Sequence, residues 1–152
     1  MAYTTAEARH QLLDTLAEAI EALGFAIASL GEAYEKLDEQ NGDRLEEELF
    51  RPVQAAYGRA KLTHAGFAER HGLEGRAFEE QSAGVSSPGA TGFIHHAVEA
   101  VAEADGVLAT LQDSMLPVEA GDPELRAGLE AVRDRIRGLP ERARELLRTL
   151  GR

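Results

Sequence analysis

The sequence has no cysteine, no tryptophan and only 5% aromatic residues. Without a thiol there is no disulfide, no thiolate nucleophile and no cysteine-ligated zinc site. This usage suits a reducing compartment, and a cytoplasmic location is expected. Positive charge is scarce as well: 16 Lys and Arg face 27 Asp and Glu, a formal net charge of −11. A field of that sign repels phosphate, so neither nucleic acid nor anionic lipid is an expected partner. No apolar run approaches the ~18 residues that cross a bilayer, and no basic stretch followed by an apolar one opens the chain. Neither a membrane anchor nor a secretory leader is therefore expected. Catalytic signatures are missing too. There is no Gly-x-Ser-x-Gly elbow, no His-Glu-x-x-His pair, no EF-hand loop and no Gly-rich loop ending in Lys-Ser/Thr. Tyr3, Tyr34 and Tyr57 lack the basic surroundings of a base-stacking surface.

What the sequence does contain is helical periodicity, in a chain whose 152 residues suit one domain. Four segments repeat apolar residues at steps of three and four. Leu12, Leu16, Ile20, Leu23, Ile27 and Leu30 mark the first, over 4–40. Asn41-Gly42 reads as a turn, and Asp43 with Glu46 as a capping box opening the second helix, 43–71. Pro52 falls inside that helix, yet the stripe of Leu49, Val53, Ala56, Ala60 keeps phase across it, which predicts a kink rather than a break. Residues 72–87 lose the period and form a long connection, with one helical turn expected around Phe78. Ser87-Pro88 is suited to cap the third helix, 88–115, whose stripe runs from Ile94 to Met115 and which Pro117 should stop. Asp122-Pro123-Glu124 opens the fourth, 123–150, with Gly138 and Pro140 placed to kink or split it. No strand-like alternation occurs. Four stripes, two short turns and one long connection predict an all-α, antiparallel four-helix bundle. The 12 acids among residues 1–50 and the 8 arginines among 124–152 suggest that the first and last helices lie side by side.

In a bundle whose neighbours follow chain order, all five histidines gather at one end, under the 72–87 connection. At ~100° per residue, His64 and His71 fall within roughly 40° of their stripe and should face inward, with His96 on a flank. His10 and His95 point outward, and so do Glu7, Glu69 and Glu99, which leaves a carboxylate-bridged di-metal site without ligands. His64, His71 and His96 remain as a candidate site for a divalent metal or a small ligand. The plainer account makes them partly buried polar residues that meet water or loop carbonyls. No cofactor is otherwise implied.

The stretch Ala19–Gly31 holds one charged residue, Glu21. Its core face is already supplied by Ile20, Leu23, Ile27 and Leu30, while Phe25 points almost oppositely, flanked by Ala22 and Ser29. A helix apolar nearly all round packs on both sides. Ala22, Phe25 and Ser29 are therefore expected to form the interface of a homodimer or to receive a partner helix. The sequence thus reads as a non-enzymatic interaction module, with ligand or metal binding through the inward histidines as the competing reading.

Overall fold

Thr4 begins the first helix. Its hydroxyl accepts from the Glu7 N–H at 3.1 Å, and the Glu7 carboxylate accepts from the Thr4 N–H at 3.3 Å, a complete capping box. The computed structural model describes residues 4–84 and 89–150, and every regular element among them is helical. They are α1 (Thr5–Glu35), α2 (Glu39–Leu45), a π-helical turn (Glu46–Phe50), α3 (Arg51–Arg70), α4 (Gly89–Asp113), α5 (Leu116–Glu119), α6 (Pro123–Ile136) and α7 (Leu139–Leu150). Among the described residues no helix is long and apolar enough to cross a membrane.

The first break comes earlier than the Asn41-Gly42 turn that was expected. Lys36 leaves helical geometry, and Asp38, not Asp43, is the cap: its carboxylate accepts from the Asn41 N–H at 2.8 Å. Gly42 lies within α2 for another reason. A Cβ there would sit 3.2 Å from the Tyr34 ring, so the glycine admits the end of α1. Pro52 is absorbed by the π turn just before it, in which the Arg51 N–H reaches back to the Glu46 carbonyl. One widened turn relieves the clash of the proline ring with the preceding carbonyls, and the apolar stripe continues into α3.

Two further expectations fail locally. Pro117 does not stop α4. The helix ends at Asp113, Ser114 turns its hydroxyl onto the Leu111 carbonyl at 2.7 Å, and Pro117 opens the short α5 instead. Met115, placed in the stripe, is 58% exposed as a result. Phe78 carries no helical turn, for residues 73–84 have no regular structure. The Ser87-Pro88 cap lies outside the described residues. Gly138, at φ +78°, separates α6 from α7, and Leu139, Ala143 and Leu146 bring α7 back onto the core.

Leu16, Val53, Val101 and Val132 are all buried in one apolar cluster. Its arrangement is not the one that chain order suggests. α1 packs most extensively on α4 and next on α3, while α3 packs on α6. The acidic first helix makes no extensive contact with α6 or α7, so the expected pairing with the arginine-rich segment is not formed. Arg133 instead binds Asp105 of α4 at 2.7 Å, and Arg137 pairs with Asp134 of its own helix end at 2.7 Å.

The connection after α3 explains the difference. Rather than closing one end, residues 73–84 run as an extended strap along α1 and α3. Arg76 reaches Asp14 at 3.3 Å, the Gln81 side chain donates to the Glu21 carbonyl at 2.7 Å, and Gly84 lies beside a hollow shared with Gly31. The strap thus climbs α1 in chain order. At ~3.3 Å per residue its length matches that of the 31-residue α1 at ~1.5 Å per residue. α4 consequently starts beside the far end of α1, where the Lys36 ammonium lies 5.8 Å from the centre of the Phe93 ring.

Candidate functional site

The histidines are divided by this path. His64 is 3% exposed and faces inward as expected, its ring edge-on to Phe78 of the strap at 5.3 Å. Burial pushes its pKa down, the nearby Arg76 charge adds to that, and the Leu13 backbone and Asp14 oppose it. His71 is half-buried and its Nε2 lies 2.9 Å from Asp122 Oδ2. That carboxylate also accepts two bonds from Arg70, at 2.8 and 3.0 Å, and one from the Leu125 N–H at 2.7 Å, which caps α6. Arg70 holds the Asp122 carboxyl well below the usual carboxylate range, against burial and with help from Leu125 and His71. A carboxylate with four such contacts, from three residues, ties α3 to α6 and leaves no lone pair free for a metal.

His96 stands elsewhere, half-buried and edge-on to Phe93 at 6.2 Å. Phe93 lies under Lys36, whereas His64 lies at the level of Leu13 and Asp14 on α1. Those levels are separated by roughly 35 Å at ~1.5 Å per helical residue. The predicted trio His64, His71, His96 therefore does not form one site, because the strap carries α4 to the opposite end. His10 and His64 do line one small hollow with Asp14, Glu74 and Arg76. Among the described residues no group of three His, Asp or Glu side chains is disposed to hold a metal ion.

The predicted interface is also displaced. Ala22 is 8% exposed and Ser29 fully buried, while Phe25 is half-buried against the core. Gly24 and Ile27 face the strap and α3, so the side carrying Ala22, Ala26 and Ser29 is turned toward α4, the most extensive partner of α1. The small residues do permit close approach, as reasoned, but of a helix in the same chain. A helix apolar all round lies here between neighbours of its own chain, which cover Ala22 and Ser29 and leave Phe25 half-buried.

What the residues build instead is a cleft of about 590 Å³ between α1, α3 and the strap. One wall is glycine and alanine: Gly24, Ala28 and Gly31 of α1. The opposite side carries Phe50, which ends the π turn, and Tyr57, one heptad further on in α3, and the strap contributes Phe78. A Cβ at Gly24 would meet Gln81 Nε2 at 2.9 Å, so that glycine lets the strap hydrogen-bond the α1 backbone. A Cβ at Gly31 would meet nothing within 4 Å, so this one opens into the cleft. Burial pushes the Tyr57 phenol pKa up. The Lys61 ammonium lies 4.3 Å from the centre of the Tyr57 ring, with the carboxylates of Glu32 and Glu80 also lining the space. The signals for this site were the heptad-spaced Gly24 and Gly31 and a lone Phe78 within a polar connection. By local pattern alone these residues signal only a helix face and a loop.

Fold and cleft together describe an all-helical chain with a strap-covered groove. No protein family, no curated protein and no solved structure matches it.

Proposed function

We propose that this protein works by binding a small molecule in the cleft beneath the strap, without a catalytic step. The scaffold is read as an antiparallel four-helix bundle: α1, α2 with α3, α4, and α6 with α7. One connection crosses back over its length, so that α3 and α4 run the same way. This keeps the ligand reading of the sequence and its place under the 72–87 connection. It replaces the histidines with Gly31, Phe50, Tyr57 and Phe78.

The observation that carries the proposal is Gly31. A mid-helix glycine costs ~0.5–1 kcal/mol against alanine. Here Gly31 meets no neighbour that requires it, as is also true of Gly106 beside a hollow of about 350 Å³, and it faces the larger space of about 590 Å³, within the ~300–1,000 Å³ range of small-molecule sites. The aromatic rings opposite provide an apolar floor, and polar groups stand at the rim.

The test is a filling substitution. Gly31→Leu places an isobutyl group in the cleft and raises helix propensity, so it should fold. N-phenyl-1-naphthylamine, a neutral fluorophore, should brighten with one equivalent of the native protein and not with Gly31→Leu. Equal brightening of both would remove the reading. Light scattering on the same samples reports whether a second copy, rather than a small ligand, occupies the groove.

A further inference from the structure

The cleft adjoins a second hollow of about 390 Å³ between the strap, Ile20 and Glu21 of α1 and Tyr57, and the two share Tyr57, Phe78, Glu80 and Gln81. Resting on the binding reading above, we propose that this double groove takes a linear alkyl polyamine. Ammonium groups of the ligand would lie beside the acidic rim and compete with Lys61 and Arg76 for the aromatic faces.

Two cations of the chain already use these faces. Lys61 lies over Tyr57, and the Arg76 guanidinium lies 6.0 Å from the centre of the Phe78 ring. A π face in a partly desolvated groove attracts such groups, most strongly where water is excluded. Each cation is tethered by its own side chain, and each covers one ring. The carboxylates lining the two hollows are Glu21, Glu32, Glu79 and Glu80, against Lys61 and Arg76, so the groove is acidic overall. The chain's formal charge of −11 draws polycations toward it. A flexible chain of methylenes between ammonium groups matches two adjoining hollows that are lined by both aromatic rings and carboxylates. A dicarboxylate of equal length would meet four like charges and only two opposite ones.

Spermidine titration by calorimetry tests this, at fixed ionic strength with Mg²⁺ and glutarate alongside. We expect saturable binding of one spermidine, no comparable binding of Mg²⁺ or glutarate, and loss of binding in Gly31→Leu, which changes no charge. The pair Glu32→Gln with Glu80→Gln should weaken spermidine roughly fivefold, the scale of two exposed ion pairs. Lys61→Met is the decisive variant, since it clears the Tyr57 face. Spermidine should bind several-fold tighter to it, whereas a groove built for an anion would bind its ligand more weakly. Spermidine heat that is unchanged in Gly31→Leu means a diffuse counter-ion and overturns the proposal, as does weaker binding by Lys61→Met. If the neutral fluorophore fills the cleft and spermidine does not, the polyamine assignment fails and the binding reading stands. If neither binds, both fail.

Discussion

Glycine-to-alanine substitutions at two helical positions should move stability in opposite directions, and the reason lies in what each new methyl group meets. At Gly128 on α6 an added Cβ would sit 2.3 Å from Thr63 Oγ1, 2.7 Å from Thr63 Cγ2 and 3.0 Å from Thr63 Cβ. Carbon atoms rest at ~3.5–4.0 Å, so α3 and α6 must part by on the order of 1 Å. Overpacking of that kind costs about 1–3 kcal/mol, and better helix propensity returns at most ~1 kcal/mol of it. The net is a loss of up to about 2 kcal/mol. At Gly31 nothing lies within 4 Å, so Gly31→Ala keeps the whole propensity gain of ~0.5–1 kcal/mol. The two variants should differ by about 2 kcal/mol, or ~4–8 °C in Tm for a chain of this size. Urea unfolding followed by helical circular dichroism measures this directly, and unchanged m-values would show that the unfolded states are alike. The Thr63 hydroxyl donates to the Arg59 carbonyl of its own helix, so it does not bind α6. Thr63→Ala should therefore partly rescue Gly128→Ala, with a coupling of ~1 kcal/mol in a double-mutant cycle. Equal stabilisation by both alanines would refute the close approach of α3 and α6.

Other outcomes follow from the polar groups. Asp122 has its pKa depressed in the folded state by Arg70, so its contribution is present above the unfolded value near pH 4 and is lost as pH falls below it. Asp122→Asn should flatten that acid limb in pH-dependent urea midpoints, and Asp122→Ala should cost ~1–2 kcal/mol at pH 7 through the lost cap alone. His64 has a lowered folded pKa through burial, so its unfolded form takes up a proton first. Stability should therefore fall as pH drops below about 6.5, and a Gln in place of His64 should remove that slope while leaving the acid limb of Asp122 intact. Gly24→Ala would press on the end of the Gln81 side chain and break its bond to Glu21. Because only that flexible tip must move, global stability should change by less than ~1 kcal/mol. Limited proteolysis within 73–84 should nonetheless accelerate, and an unchanged cleavage rate would mean the strap is held elsewhere.

The helices were legible because burial imposes a period that survives local irregularity. Leu16, Val53, Val101 and Val132 could be placed in one core from spacing alone, and all four are buried. The inward turn of His64 followed from the same wheel. Boundaries were less legible, since several residues compete for each cap. Asp38 prevails over Asp43 through its bond to Asn41, and Gly42 serves a contact with Tyr34 that no local pattern announces. The candidate site was hidden for a different reason. Which helices neighbour one another depends on where a connection ends, and a stretch without periodicity carries no direction.

That single undetermined path governs the rest of the architecture. Had residues 72–87 closed one end, α4 would begin beside His71, the five imidazoles would gather, and α1 would keep an exposed second face at Phe25. By running the length of α1 the strap carries His96 away and brings α4 onto Ala22 and Ser29, and it roofs the glycines at 24 and 31. The groove is thus a consequence of the crossover itself: an extended chain cannot fill the space beside a helix as another helix would, and what it leaves open is lined by whatever small residues face it. The strap is fastened by Arg76 on Asp14, Phe78 on His64 and Gln81 on Glu21, and at its two ends Leu73 and Ala83 pack against the core. Among the described residues no backbone–backbone hydrogen bond joins the strap to the helices along 74–83, and most of the strap's residues are exposed. A segment held by a few side chains, without a backbone ladder, opens at a smaller free-energy cost than the helices it covers. Amide exchange within 76–83 should accordingly be fast while that of Leu16 and Val53 follows global unfolding, and a ligand lodged beneath the strap should slow the first without altering the second.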